Sequence, residues 1–296
     1  MKIDGIHYMM PTVFNDSDSI DIDSMINIVN YAKKSGCVGL VLLGVMGEAH
    51  RLDESEKIFL LEEISNVSRE ANLLLTVGVS AESGYLASSF ADKASELGAN
   101  QVMLAPPTMK KPNEQILYRY YKDVNDSISE NTSLVVQDLP DQSGVYMSPE
   151  FLIHLDNNLE KINSIKLEDP PTPKKITKIM NLKSDKLKIF GGLGGLFFFE
   201  ELLRGASGTM TGFSFTEILV QIYNYFVENK YKEAKLLFYK WLPLIRYENS
   251  VGISLAIRKE ILRQRKIIKY SNVRYPTPSI DLEDISELEQ ILKDYI

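Results

Sequence analysis

The run "CVGLVLLG", Cys37–Gly44, is short and apolar, and the segment "LDESEKIFLLEEISNVSRE", Leu52–Glu70, follows it in the chain. The first run has the length and the flanking glycines of a buried strand. The second is amphipathic, and its Asp53 and Glu56 have the spacing of a capping box, which marks a helix N-terminus. Together they predict one strand–helix unit of about thirty residues, close to the size of a βαβ repeat.

The same unit recurs along the chain. In residues 20–36, for example, the apolar positions share one helical stripe and Gly36 stands where a C-cap belongs. Eight units predict a closed parallel (β/α)8 TIM barrel, with an open doubly wound sheet as the alternative. The other strand candidates are "GIHYMMP", "LLLTVGVS", "QVMLAPP", "SLVVQDLP", "INSIKLE", "KIFGG" and "GTMTGF".

From about Thr216 onward the pattern is helical only, with "KEAKLLFYKWLPLIRY" and "GISLAIRKEILRQRKII" as its clearest segments. No low-complexity linker divides the chain. We therefore predict a barrel over residues 1–215 and C-terminal helices over residues 216–296, which complete and extend the barrel.

The composition excludes several classes of partner. The 296 residues include 33 Lys and Arg against 40 Asp and Glu, a net charge of −7, without a clustered basic face. We therefore expect no nucleic-acid or membrane-surface partner. The first residues lack a signal-peptide pattern and no stretch is long enough to span a membrane, so we expect a cytoplasmic protein. His7, His50 and His154 stand at unrelated spacings, so we expect no metal site, and Cys37 is predicted to be a small core residue.

Catalytic groups of such barrels stand at the C-terminal ends of strands. In "SIKLEDPP", Ser164–Pro171, Lys166 falls inside a buried strand, and Glu168, two residues later, faces the same side. Burial disfavours a charged amine and so makes a neutral, nucleophilic one available. Position alone leaves open whether Lys166 forms a Schiff base or is a salt-bridged lysine paired with Glu168.

Other strand ends supply candidate binding residues. Gly47, after the second strand, is expected to offer backbone N–H groups to a carboxylate at a helix start. Gly192 and Thr211, after strands seven and eight, are expected to line distal substrate hydroxyls. Gln137 ends the fifth strand pointing inward, so Asp138 is predicted to face the helices and form hydrogen bonds there.

Three of these strand ends resemble motifs of one superfamily. "GLVLLGVMGEAHRLDESEK" at residues 39–57 resembles the G-x-x-G-E signature of the N-acetylneuraminate lyase and dihydrodipicolinate synthase superfamily of class I Schiff-base aldolases. "VVQDLPDQSGV" at residues 135–145 stands where that superfamily has Y-N-x-P-x-R-T-G, and Lys166 stands at its Schiff-base lysine. The resemblance implies a (β/α)8 barrel, a small 2-keto acid substrate, a covalent imine on Lys166 without any cofactor, and a homotetramer.

The departures from the superfamily pattern narrow the reaction. Gln137 replaces the proton-relaying tyrosine, and an amide cannot act as an acid or a base. Val45 and Met46 replace two hydroxyl residues, so a bound carboxylate must rely on backbone N–H groups. Gln142 replaces the arginine that would hold a second substrate. These losses argue against a lysine-pathway synthase.

The motifs "QDLP", "SGV", K-x-E-D-P-P and "GGLGGLFFFEELLRGASGTMTGF" are similar to the branch of L-2-keto-3-deoxyarabonate dehydratases. That resemblance implies a lyase that dehydrates a 2-keto-3-deoxy sugar acid to 2-oxoglutarate semialdehyde, with Glu168 handling the proton transfers. Glu168 could instead merely pair with a cation at the strand end. Two other functions remain alternatives: a pyruvate-dependent aldolase or synthase of the superfamily, and a non-catalytic sugar-acid-binding protein.

Overall fold

The computed structural model describes residues 3–295, and its single sheet is a closed barrel of eight parallel strands in sequence order. Each strand pairs with the next, and the eighth pairs with the first. Every strand falls within one of the predicted runs, so the (β/α)8 prediction is confirmed and the open sheet is excluded. The strands are β1 (Gly5–Met9), β2 (Gly39–Leu42), β3 (Leu74–Gly78), β4 (Gln101–Leu104), β5 (Ser133–Asp138), β6 (Ile162–Leu167), β7 (Lys188–Gly191) and β8 (Gly208–Thr211).

Helices surround the barrel, and two of the caps that the sequence predicts are present. The Asp53 and Glu56 side chains form the predicted capping box, and Gly36 ends its helix in the left-handed conformation with φ 84°. The helices are α1 (Ile22–Ser35), α2 (Glu54–Glu70), α3 (Gly84–Glu96), α4 (Glu114–Ser127), α5 (Pro140–Ser143), α6 (Pro149–Asn158), α7 (Thr172–Met180), α8 (Phe198–Leu203), α9 (Thr216–Val227), α10 (Tyr231–Glu248), α11 (Ser254–Gln264) and α12 (Leu282–Leu292).

Strand alternation separates two apolar layers. A small cluster fills the barrel interior, and a larger one packs between the strands and the helices. Lys166 pairs in register with Gln137 on β5 and Phe190 on β7, so all three side chains enter the interior. The interior cluster consists of Met9, Val41, Met103, Val135, Phe190 and Met210.

The C-terminal helices meet the barrel at its closing seam. Helix α9 packs against β1 and α1 and so occupies the place of the eighth barrel helix, while α10 contacts α8, α9 and α11. The segment beginning at residue 216 thus contains one barrel helix and three further helices. Across residues 3–295, the helices are too short or too polar to cross a membrane. Cys37 is buried in the outer apolar layer, as predicted.

Candidate active site

Lys166 and Glu168 form a buried ion pair at the C-terminal end of β6. The Lys166 side chain enters the barrel interior and is only 3% exposed. Its Nζ lies 3.0 Å from Oε2 of Glu168, which is also buried. The two residues share one side of the chain, as the two-residue period predicts. A lysine side chain and a carboxylate therefore stand within hydrogen-bonding distance at the place where barrel enzymes carry their chemistry.

Two neutral donors fix the Glu168 carboxylate. Nε2 of Gln137 donates to Oε2 at 2.8 Å, and the backbone N–H of Leu193 donates to Oε1 at 3.1 Å. Leu193 adopts φ 47°, a conformation that non-glycine residues rarely adopt, and such strain clusters at functional sites. Sequence analysis did not identify Leu193, although the run "GGLGGL" marks a loop that brings backbone close to a ligand.

Gly192 allows this arrangement by having no side chain. A Cβ atom at Gly192 would overlap the Glu168 carboxylate. The residue thus lies in the site, as predicted, but against the carboxylate. Its contact with distal substrate hydroxyls stays a prediction.

The loop after β2 forms a short 3-10 turn over Val45–Gly47, and helix α2 begins only at Glu54. The expectation that Gly47 opens the helix is therefore wrong, and its N–H already donates to the carbonyl oxygen of Gly44 at 2.9 Å. Within residues 3–295, the N–H groups of Val45 and Met46 have no acceptor. These two first N–H groups of the turn, rather than that of Gly47, are available to an anion.

Glu48 is a structural carboxylate that anchors this loop to the C-terminal segment. It is buried and accepts hydrogen bonds from Lys259 Nζ at 2.7 Å, the Arg274 N–H at 3.0 Å and the Thr277 hydroxyl at 3.1 Å. Burial lowers the pKa of Lys259, and the Glu48 charge opposes that shift. Glu48 is thus occupied in holding the loop to the C-terminal segment and is not part of the Lys166 site.

Asp138 and Thr211 face away from the interior. Oδ2 of Asp138 accepts from Nζ of Lys175 on α7 at 2.6 Å, as predicted for a residue turned toward the helices. Thr211 follows the interior residue Met210, and its register partner Tyr8 packs against a helix side chain. The prediction for Thr211 is therefore corrected, because alternation directs its hydroxyl into the helix layer.

A cavity of about 760 Å³ opens from this end of the barrel. Gln137 is part of its lining, while Lys166 and Glu168 stand next to the Gln137 amide. The wall also includes Val45, His50 and Gln142, and within the described residues it contains no tyrosine. Burial lowers the pKa of His50, which favours the neutral ring at pH 7. His50 itself is exposed in the short turn Ala49–Arg51 and lines the cavity from there.

The model of the dihydrodipicolinate synthetase family matches residues 2–295 of the chain. The chain belongs to this family. An L-2-keto-3-deoxyarabonate dehydratase from Azospirillum brasilense is 28% identical over 296 residues, covering 98% of this chain and 93% of the relative. A 4-hydroxy-tetrahydrodipicolinate synthase from Thermosipho melanesiensis is 25% identical and covers 98% of each chain.

Solved structures agree with this assignment. The crystal structure of a dihydrodipicolinate synthase from Rhodopseudomonas palustris superposes with a TM-score of 0.93 at 30% identity, covering 98% of this chain and 97% of that one. The resemblance read from the sequence motifs is therefore confirmed. The family consists of lyases acting on small molecules, so this chain is an enzyme.

One buried acid of this family member was not anticipated from its sequence. Glu201 on α8 is fully buried, and its Oε1 accepts from the Thr172 hydroxyl at 2.5 Å. The pKa of Glu201 is raised to about 8, mainly by burial and to a smaller extent by the nearby Glu168 and Glu200 charges, against the lowering effect of the Thr172 hydrogen bond. Its carboxyl packs against the α-carbon of Gly191, on the outer side of the strand end that precedes Gly192. Only its position in the apolar stretch "GLFFFEELL" hinted at burial.

The chemistry open to the site follows from these groups. Within residues 3–295, no cluster of three or more His, Cys, Asp or Glu could hold a metal ion. Lys166 offers an amine for attack on a carbonyl, and Glu168 offers a carboxylate for proton transfer. Gln137 supplies a donor that cannot titrate. The arrangement therefore suits imine chemistry with Glu168 as an acid–base group next to the amine.

Proposed function

We propose that this enzyme is a Schiff-base hydro-lyase that dehydrates a 2-keto-3-deoxy sugar acid such as L-2-keto-3-deoxyarabonate to 2-oxoglutarate semialdehyde. The observation that carries the proposal is the Glu168 carboxylate, held between Lys166 and the amide of Gln137. One carboxylate can serve both proton transfers of a dehydration. The similarity to an L-2-keto-3-deoxyarabonate dehydratase supports the same choice.

The reaction begins with attack of Lys166 Nζ on the C2 ketone. Loss of water from the carbinolamine gives an iminium ion, which acidifies the C3 protons. The proposal needs no metal or organic cofactor, since the iminium ion accepts the electron pair released at C3. The N–H groups of Val45 and Met46 are the proposed binding site of the substrate carboxylate.

Glu168 then removes a C3 proton and gives an enamine. The enamine expels the C4 hydroxyl as water, with the proton returned by Glu168. Proton shifts in the resulting unsaturated iminium ion convert the C5 hydroxymethyl group into the aldehyde, and hydrolysis frees Lys166. Overall one water molecule is lost and no oxidant is consumed.

A second candidate is an aldolase or synthase that uses pyruvate, because other curated relatives are 4-hydroxy-tetrahydrodipicolinate synthases. Carbon–carbon cleavage needs a base at the C4 hydroxyl, the task that the superfamily tyrosine performs. Gln137 stands in place of that tyrosine and cannot perform it. Gln142 replaces the arginine for the second substrate and carries no charge. We therefore rank dehydration first.

We also propose that the enzyme is a cytoplasmic homotetramer, as the superfamily resemblance implies. Large apolar side chains are exposed on and near neighbouring barrel helices: Tyr85 is 80% exposed, Ile116 56% and Tyr146 73%. Burial of such side chains between subunits would stabilise an assembly. Light scattering coupled to size-exclusion chromatography measures the mass in solution, and a monomer would refute the assembly.

The experiment that tests the function is intact-mass spectrometry after borohydride reduction. The enzyme is incubated with pyruvate and with a panel of 2-keto-3-deoxy pentonates and hexonates, and peptide mapping locates the adduct. We expect an adduct of dehydrated-substrate mass on Lys166 from one sugar acid and none in Lys166→Met. A pyruvate-mass adduct formed from a longer acid would establish the aldolase instead. Absence of any adduct would refute imine chemistry.

A further inference from the structure

The C-terminal helices touch both loops on which the proposed site depends. Arg258 on α11 is 4% exposed, and its Nε lies 3.3 Å from Oε2 of the buried Glu248. Its Nη2 donates to Oδ1 of Asn249, at the C-terminal end of α10, at 2.8 Å. Its Nη1 lies 3.8 Å from the thioether sulfur of Met46 in the Val45–Gly47 turn. The planar guanidinium thus joins α11 to the C-terminal end of α10 and to the Val45–Gly47 turn, with a fork of donors that a lysine does not have.

Arg258 contacts the first of these loops, the Val45–Gly47 turn, through Met46. The Met46 thioether rests on the backbone of Gly212, just beyond β8, with Arg258 on another side. Since the N–H groups of Val45 and Met46 are those proposed to hold the substrate carboxylate, the placement of Met46 sets their direction. The positive charge of Arg258 also favours an anion at this turn.

Arg258 contacts the second loop, which follows β7, at Gly194. A Cβ atom at Gly194 would overlap both Asn249 and Nη2 of Arg258, and Gly194 has φ 66°. The loop backbone is therefore pressed directly onto the Arg258–Asn249 pair. The preceding residue, Leu193, donates its N–H to Glu168. A shift of Arg258 is thus transmitted through one peptide unit to the carboxylate.

We propose that Arg258 is a positioning residue for the dehydration. It holds the Val45–Gly47 turn and the loop that contains Gly194 at a fixed distance from each other. In this role it keeps Glu168 aligned with the substrate C3 and C4 atoms, and it keeps the carboxylate-binding N–H groups directed at the substrate. The inference rests on the proposed function. In this proposal, α10 and α11 position active-site groups in addition to stabilising the barrel.

Three variants test the inference against a matched control. Arg258→Lys keeps the charge but loses the three-way contact, Arg258→Met loses both, and Asn249→Ala removes the acceptor beside Gly194. The control is Arg263→Met on the same helix, because Arg263 has a 46% exposed side chain and pairs with Glu260. For each protein we measure kcat and KM for the sugar acid, borohydride trapping with pyruvate, and the melting temperature.

We expect kcat to fall about tenfold in Arg258→Lys and in Asn249→Ala, since small misplacements of catalytic groups cost one to two orders of magnitude. In Arg258→Met the KM should in addition rise about tenfold, because the charge near the carboxylate site is lost. Trapping of pyruvate on Lys166 should persist in all three. Arg263→Met should match the wild type.

Lower melting temperatures with unchanged kcat and KM would overturn the inference, because a merely stabilising arginine has that effect. If Arg258→Met does not fold, Arg258→Lys and Asn249→Ala decide the matter by the same criterion. A wild-type enzyme that neither traps a keto acid nor turns over a sugar acid refutes the proposed function, and this inference with it. Active wild-type enzyme with unaffected variants refutes the inference alone.

Discussion

Oε1 of Glu168 accepts the Leu193 N–H at 3.1 Å, while Oε2 of the same carboxylate lies 3.0 Å from Nζ of Lys166. The carboxylate is thereby held between a backbone donor on the β7 loop and the amine on β6. A group fixed in this way needs little reorganisation when charge moves during a reaction. The predictions below test what depends on its placement.

Glu168→Gln should leave imine formation intact and abolish dehydration. The amide keeps the size of the side chain but can neither remove nor return a proton. General acid–base groups contribute typically about 10²–10⁴-fold, so we expect a loss in kcat of at least that order. Borohydride trapping on Lys166 and turnover of the sugar acid are measured on the same preparation. Turnover of Glu168→Gln at the wild-type rate would refute the proposed role of Glu168.

Gly192→Ala should lower kcat strongly, because its Cβ atom would overlap Glu168 and displace the carboxylate. Overpacking of this kind also destabilises a fold by about 1–3 kcal/mol, which urea unfolding measures. Gly144→Ala is the control. Gly144 has φ 71° but open space around it, so alanine there adds backbone strain without a collision. Equal activities of the two variants would contradict the collision argument.

The barrel could be predicted from the sequence because its signals are local. Each strand run and the Asp53 cap act over a few residues, and alternation alone places Lys166, Glu168 and Asp138 correctly. Applied to β8, the same alternation predicts that Thr211 faces the helices, because Met210 faces the interior. The error for Thr211 arose because the residue was judged by its position at a strand end without its phase along the strand.

The rest of the site could not be predicted because it depends on contacts between distant residues. The N–H of Leu193 reaches Glu168 from another loop, and Arg258 reaches Met46 across 212 positions of the chain. Neither contact leaves a local pattern. The expectation for Gly47 failed because a short 3-10 turn and the first turn of an α-helix look alike in sequence. The chain forms the short turn at Val45–Gly47, and α2 begins only at Glu54.

Lys259→Met should destabilise the protein by about 3–5 kcal/mol, because it removes the buried cation of the Glu48 carboxylate and leaves only the partly exposed Arg51, whose Nε lies 4.0 Å away. The double variant Lys259→Met with Glu48→Gln should be more stable than Lys259→Met alone, since the buried charge is gone. Urea unfolding at pH 7 measures both. A double variant that is less stable than Lys259→Met would show that the Glu48 hydrogen bonds to Arg274 and Thr277 outweigh the buried charge.

Glu201→Gln should remove part of the pH dependence of stability. Burial raises the pKa of Glu201 to about 8 from 4.5, so the folded protein holds this proton more tightly than the unfolded chain. Its contribution is therefore fully present below about pH 4.5 and is lost as the pH rises to about 8. Relative to the wild type, Glu201→Gln should gain about 1 kcal/mol of stability per pH unit across that range.

Urea unfolding of both proteins between pH 5 and 9 measures this difference. Subtracting the two stability curves cancels the contributions of other buried acids, such as Asp138 and Glu248, whose pKa values burial raises to about 6 and about 7. The difference should grow with pH up to about 8 and then become constant, because Glu201 is ionised in both states above that value. Parallel curves would mean that Glu201 is already ionised in the folded protein at pH 5, with a partner that stabilises its charge.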